Sequence, residues 1–175
     1  MLATTISLGL MGSAAAAQSI LQAWEITRLV SSGLPYRSEA ECHNPLNTIA
    51  VEIQDHNSYP GSESTKSNST QCIAKFPYCA PPFHKLFNCS EASYGSWSFT
   101  FFPTNGNVDT EYWNPGQNFT ISLRLALRGR GDWYEGQAAF SVGGNMRGLC
   151  SAGGICSFSL KEEIVPLMVN QTGSL

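Results

Sequence analysis

The sequence predicts an all-β protein, an antiparallel β-sandwich or small β-barrel of about seven to eight strands stabilised by disulfides. Three observations carry that expectation. Residues 119–128 alternate apolar and polar side chains with a strict period of two. Shorter runs of the same kind recur along the chain, separated by turn signals rich in Gly, Pro, Asn and Ser. Six cysteines lie downstream of an N-terminal segment built like a cleavable secretion signal.

The signal is set aside before the fold is read. Leu2 to Met11 is a short apolar stretch, and Ala14 to Ala17 supplies small residues for cleavage before Gln18. A bilayer span takes about 20 apolar residues, so this stretch is too short to be one. No later segment qualifies either, including the run from Ile164 to Val169. Residues 1–17 are therefore expected to be a signal peptide and 18–175 a single secreted, extracellular β domain. Charged residues make up 13% of the chain and the net charge is −3, which argues against nucleic acid as a partner. Four sequons, at Asn68, Asn88, Asn118 and Asn170, are candidate glycosylation sites in a eukaryotic secretory pathway.

Trp24 to Leu29 is expected to open the sheet, and Ser31 to Asn47 reads as a long loop containing Cys42. Ile49, Val51 and Ile53 alternate with Ala50, Glu52 and Gln54 as the next strand. Asn57 to Thr70 is rich in Ser, Pro, Asn and Gly and reads as a mobile excursion between two strands. Between Cys79 and Cys89, the segment Ala80-Pro81-Pro82-Phe83-His84 is stiff and barred from a central strand, because proline has no N–H for a ladder. Trp97, Phe99 and Phe101 alternate with Ser98 and Thr100 until Pro103. In the strongest strand Phe119, Ile121, Leu123, Leu125 and Leu127 share one face, with Thr120, Ser122, Arg124 and Arg128 on the other. Asn118 lies on that polar face, so a glycan there would require the face to be open. Tyr134, Gly136, Ala138, Phe140 and Val142 share a face before the Gly143-Gly144-Asn145 turn. Phe158 and Leu160, then Val165, Leu167 and Val169, are expected to form a final pair, with Pro166 marking an edge strand. No helix of ordinary length, internal repeat or second domain is legible.

Outside the cell, cysteines are expected to end as disulfides. Six of them allow 15 pairings. Cys150 with Cys156 is favoured, because Ser151-Ala152-Gly153-Gly154-Ile155 is flexible enough to close a small loop. A zinc site completed by His43 or His84 is not expected, since neither CxxC spacing nor a paired histidine is present. Nor is any cofactor signature or phosphate-binding glycine loop.

Catalytic machinery is sparse. His43, His56 and His84 fall in predicted loops, and adjacent Asp55 and His56 would point to opposite faces of an extended chain. No nucleophile elbow occurs. Glu52 with Asp55, and Asp132 with Glu135, are the carboxylate pairs to weigh for glycosidase chemistry; all four are read as solvated surface charges. No catalytic residue is assigned. The tip Arg130-Gly131-Asp132-Trp133 stands between two strong strands as a candidate contact loop. The plainer reading is a turn that needs Gly129 and Gly131 at positive φ.

Several short motifs carry a family likeness: Trp24-Glu25-Ile26-Thr27, Gly95-Ser96-Trp97-Ser98-Phe99-Thr100, Asn118-Phe119-Thr120 and Tyr134-Glu135-Gly136. The fullest match is Phe140-Ser141-Val142-Gly143-Gly144-Asn145, continuing through Gly148-Leu149-Cys150 and Gly153-Gly154-Ile155-Cys156-Ser157-Phe158 to Pro166. In these the chain resembles small secreted cysteine-containing proteins of ascomycete fungi, of the apoplastic cell-death-inducing effector type. A fainter likeness, in the Trp-x-Ile-Thr opening and Cys150-Ser151-Ala152-Gly153-Gly154, is to the Alternaria major-allergen family of β-barrels. The likeness covers most of the mature chain, and its motifs are structural. It implies bridges Cys72–Cys89 and Cys150–Cys156, with Cys42 and Cys79 additional here and forming a third; other pairings among Cys42, Cys72, Cys79 and Cys89 stay open. It also implies a non-enzymatic virulence protein of the plant apoplast whose partner is a host extracellular protein or cell-surface component. The alternatives are a small-molecule carrier lined by Phe99, Phe119, Leu123 and Phe140, and, less favoured, an extracellular hydrolase.

Overall fold

Side chains alternate in and out along the long strands of the computed structural model, with one register shift between Ile26 and Arg28; the structure describes residues 21–34, 46–59, 68–77, 80, 82–104 and 116–174. Residues 1–17, expected to be a secretion signal, and Cys42, His43 and Cys79 lie outside the described residues. Eleven strands are formed among the described residues: β1 (Trp24–Gly33), β2 (Leu46–Asp55), β3 (Asn68–Pro77), β4 (Leu86–Asn88), β5 (Gly95–Phe102), β6 (Asn118–Leu127), β7 (Trp133–Ser141), β8 (Met146–Cys150), β9 (Cys156–Leu160), β10 (Leu167–Val169) and β11 (Gln171–Ser174). They make two antiparallel sheets. The first runs β3-β2-β1-β9-β8 with β10 also on β1, and the second runs β11-β7-β6-β5-β4. The architecture is a disulfide-stabilised sandwich. The only helical piece among the described residues is a 3-10 turn at Glu162–Ile164.

The count exceeds expectation because four strands were not legible. β3 buries Thr70, Cys72, Ala74 and Phe76 while exposing Ile73, so its inward set is not uniformly apolar. β4, β8 and β11 are three to five residues long, too short for a periodic signal. The expected closing pair is also different. β9 and β10 do not pair with each other; both lie on β1, β9 against Val30–Gly33 and β10 against Trp24–Ile26. Pro166 precedes β10, after a cis peptide bond, rather than sitting inside the strand.

Two junctions bring the sheets together at their edges. At one, Cys72 of β3 is bonded to Cys89 just after β4. There the Ser90 N–H donates to the Gln71 carbonyl at 2.8 Å, and the Gln71 N–H donates to Ser90 Oγ at 3.0 Å. At the other, the chain leaves β10 in the first sheet and enters β11 in the second through the single residue Asn170. Gly136 on β7 makes that crossing possible. A Cβ there would lie 2.8 Å from Val169 Cγ1 and 2.9 Å from the Asn170 carbonyl, so only glycine lets the backbones approach. The second bridge, Cys150–Cys156, pins the β8–β9 hairpin.

Between the sheets lies one aromatic core. Phe99, Phe101 and Phe119 meet edge to face and Phe119 stacks on Phe140, with centroids 5.0–5.6 Å apart, and none is exposed to solvent. Removing the Cys72–Cys89 bridge by a double Cys→Ala change frees a loop with a sequence separation of 17. The expected cost is about 3 kcal/mol, read as a lower denaturant midpoint beside an intact Cys150–Cys156 hairpin.

Candidate functional site

The inward alternation of β2 does not stop at its end. Residues 47, 49, 51, 53, 55, 57 and 59 are all buried, so the apolar series Ile49, Val51, Ile53 continues as Asp55, Asn57 and Tyr59. This places a carboxylate in the core, with Asp55 only 1% exposed. Both of its oxygens are occupied. Oδ1 accepts the Asn57 backbone N–H at 3.0 Å and its side-chain amide at 2.8 Å. Oδ2 accepts the Tyr59 hydroxyl at 3.0 Å and the Tyr94 hydroxyl at 3.3 Å.

Each hydroxyl is in turn an acceptor. Trp24 Nε1 donates to Tyr59 at 3.4 Å and Trp97 Nε1 to Tyr94 at 3.1 Å. The two indoles meet edge to face at 4.6 Å, and the Tyr59 ring stacks on Tyr94 at 5.5 Å and tilts against Tyr134 at 5.2 Å. Asn57 extends the network by holding both backbone groups of Gln22, at 2.7 and 2.8 Å. Burying a carboxylate is costly unless every lone pair finds a donor, and here the donors come from both sheets.

Asp55 was expected to be a solvated surface charge; it is the opposite. Tyr59 was expected in a mobile excursion but is anchored in the core. As expected, Asp55 and His56 face opposite ways: His56 is on the outside, 3.3 Å from Glu25. Glu52 also faces outward, in an ion pair with Arg28 at 3.0 Å, so Glu52 and Asp55 do not form a pair. Asp132 lies 3.9 Å from Arg130, and Glu135 accepts the Ser122 hydroxyl. His84 takes a left-handed backbone conformation (φ 59°) and lies edge-on to Phe102. No group of three or more His, Cys, Asp or Glu side chains able to hold a metal ion occurs among the described residues. The apolar side chains named as a carrier lining, Phe99, Phe119, Leu123 and Phe140, have no accessible surface and so offer none to a ligand.

The Arg128–Asp132 tip joins β6 to β7 and is exposed except at Asp132, which is half-buried. Its base is fixed: the Arg128 N–H donates to the Tyr94 carbonyl and the Leu127 N–H to the Asp132 carbonyl, both at 3.0 Å. Gly129 has φ +71°, the left-handed value that favours glycine. Gly131 does not share it, contrary to expectation, so only one of the two glycines is required by the backbone. Trp133 follows with the Arg124 guanidinium 4.7 Å above its ring. Of the sequons, Asn88, Asn118 and Asn170 are exposed and Asn68 is half-buried. Asn118 lies at the start of β6, on the sheet face that Arg124 and Gln137 expose to solvent. No helix among the described residues is long and apolar enough to cross a membrane. Comparison with protein-family models, curated proteins and solved structures finds no match to this chain.

Asp55→Asn turns one face of the carboxylate into a donor that opposes two donors. The expected loss is about 2–3 kcal/mol of stability at unchanged denaturant slope, against about 1–2 kcal/mol for Tyr94→Phe. Burial, reinforced by the Asp55 charge, raises both Tyr59 and Tyr94 well above the ordinary tyrosine value of about 10. The native state keeps these protons above pH 10 while the unfolded chain releases them. Stability is therefore full below about pH 10 and falls above it, by at most about 2.7 kcal/mol per pH unit for two protons. Phenolate absorbance should show two tyrosines that ionise only as the fold is lost.

Proposed function

We propose that the protein acts outside the cell as a non-enzymatic binding protein of the effector or elicitor kind, engaging a host extracellular protein or cell-surface component of a plant. The observation that carries this reading is the division of labour between inside and outside. The buried carboxylate of Asp55, with Tyr59, Tyr94, Trp24 and Trp97, is engaged in holding the sheets. The polar groups left to meet a partner lie in exposed segments, foremost the Arg128–Asp132 tip with its anchored base. Arg130 and Asp132 are 3.9 Å apart at that tip, presented as a preformed charge pair. Two disulfides suit an oxidising compartment. The likeness to apoplastic fungal proteins supplies the plant host as the setting.

Leaf infiltration with purified protein tests the proposal. Wild type is expected to provoke a response, and a double Arg130→Ala, Asp132→Ala variant to need roughly tenfold more protein for the same effect, the size expected when contacts central to an interface are lost. No response to wild type would overturn the elicitor role. An unchanged response to the tip variant would move the contact surface elsewhere. An equal response to Cys150→Ser would separate the activity from the disulfide-supported hairpin.

A further inference from the structure

On the outer face of the second sheet, β7 and β11 form an open groove of about 300 Å³ lined by Trp133, Glu135, Gly136, Gln137, Asn170 and Thr172. The lining is selective in its chemistry. Trp133, Glu135 and Gln137 project from alternate positions of β7, and Thr172 pairs directly with Glu135 across the strands. One aromatic wall is therefore flanked by a carboxylate, two side-chain amides and a hydroxyl. The two walls that matter most are held still before any ligand arrives. The Ser122 hydroxyl donates to Glu135 Oε1, and the Arg124 guanidinium sits over the Trp133 ring. Gln137, Asn170 and Thr172 are exposed.

We infer that this groove is a subsite for a single neutral pyranose ring. A pyranose has an apolar C–H face and a rim of hydroxyls that both donate and accept. It thus needs one aromatic surface and several planar or hydroxyl partners set around it, which is the arrangement here. The volume is at the lower end of the range for small-ligand sites, enough for one sugar and not for a large apolar molecule. Glu135 makes an acidic sugar unfavourable, and Arg124 is already engaged with the indole. Fixed walls lower the ordering cost of binding, though one ring in an open groove binds only in the millimolar range.

Two sources can supply the sugar. Asn170 and Thr172 belong to the sequon Asn170-Gln171-Thr172, so both its acceptor and its hydroxyl residue line the groove. The first sugar of a glycan on Asn170 would be tethered beside Trp133, at a high effective concentration. The other source is a free saccharide. The inference needs no plant response, and the first source rests only on passage through a eukaryotic secretory pathway.

The test uses protein from two hosts. Material from an oxidising bacterial host, free of glycan, is titrated with chitotriose and with cellotriose while the Trp133 indole N–H resonance is followed, assigned through Trp133→Phe. Material from a eukaryotic host is examined by mass spectrometry for occupancy of Asn170, and by nuclear Overhauser contacts between the first sugar and the Trp133 ring. A saturable shift of that resonance in the first arm, lost in Gln137→Ala, supports the subsite with a free ligand. Contacts in the second arm, with a melting temperature raised by about 2–4 °C that Trp133→Ala abolishes, support it with the tethered one. If Asn170 carries no glycan, the bacterial arm alone decides. No shift with either trisaccharide, together with no sugar–indole contact, overturns the inference.

Discussion

The buried carboxylate of Asp55 sets the terms for this sandwich. Asp55 sits among aromatic rings, where an ion with an unfilled lone pair would destabilise the fold severely. Its oxygens are filled by Asn57 and Tyr59 from the end of β2 and by Tyr94 from the approach to β5, so the ion is tolerable only when both sheets are in register. Apolar packing alone is forgiving of small slips between layers. Four directed hydrogen bonds to one group are not, and the two indoles that donate into the tyrosines make each slip more costly. The core thus draws its cohesion from phenylalanine packing and its uniqueness from Asp55.

The same network reaches the sheet margins. Through Asn57 it holds Gln22, whose carbonyl also accepts the Gln171 side chain at 2.6 Å, so the segment before β1 and the start of β11 are tied to one hub. On the opposite margin the Cys72–Cys89 bridge does a comparable job covalently. One margin is thus held by directed polar contacts and the crossing at Asn170, the other by sulfur. The exposed polar groups, the Arg128–Asp132 tip and the β7–β11 groove lie outside both of these ties.

How much of this was legible follows from what each residue has to signal. β6 was readable because Phe119, Ile121, Leu123, Leu125 and Leu127 take every second position, β5 because Trp97, Phe99 and Phe101 do, and β7 because Tyr134, Gly136, Ala138 and Phe140 keep the same period. β3 escaped because Thr70 and Cys72 point inward while Ile73 points outward, which inverts the usual polarity cue. The central network escaped for a related reason. Asp55, Asn57 and Tyr59 keep the period of β2, yet two of the three are polar, so a reading by hydropathy ends the strand at Ile53. Treating the period as the signal, and the polar residues as members of it, would have placed a carboxylate in the core. Its partners Tyr94, Trp97 and Trp24 lie at sequence separations no local pattern spans. The Cys150–Cys156 hairpin was readable because its loop is short and glycine-rich. The Gly131 conformation was misjudged because a run of alternating glycines does not say which one takes the turn.

The position of β1 has a consequence for how the protein comes into being. It is the first strand in chain order among the described residues, yet one side of it is completed only by β9 and β10, whose register partners Ser159 and Val169 follow Val30 and Trp24 by more than a hundred residues. A nascent chain can pair β1 with β2 early, but the other edge of β1 stays open until Val169 has been made. For most of its synthesis the chain therefore carries an apolar, half-paired strand with nothing to cover it, the kind of edge that recruits other chains. Closure of such distant pairs is slow compared with hairpin formation. A chaperone holding the β1–β2 ribbon would meet the protein at its most vulnerable moment, and release would have to wait for the tail.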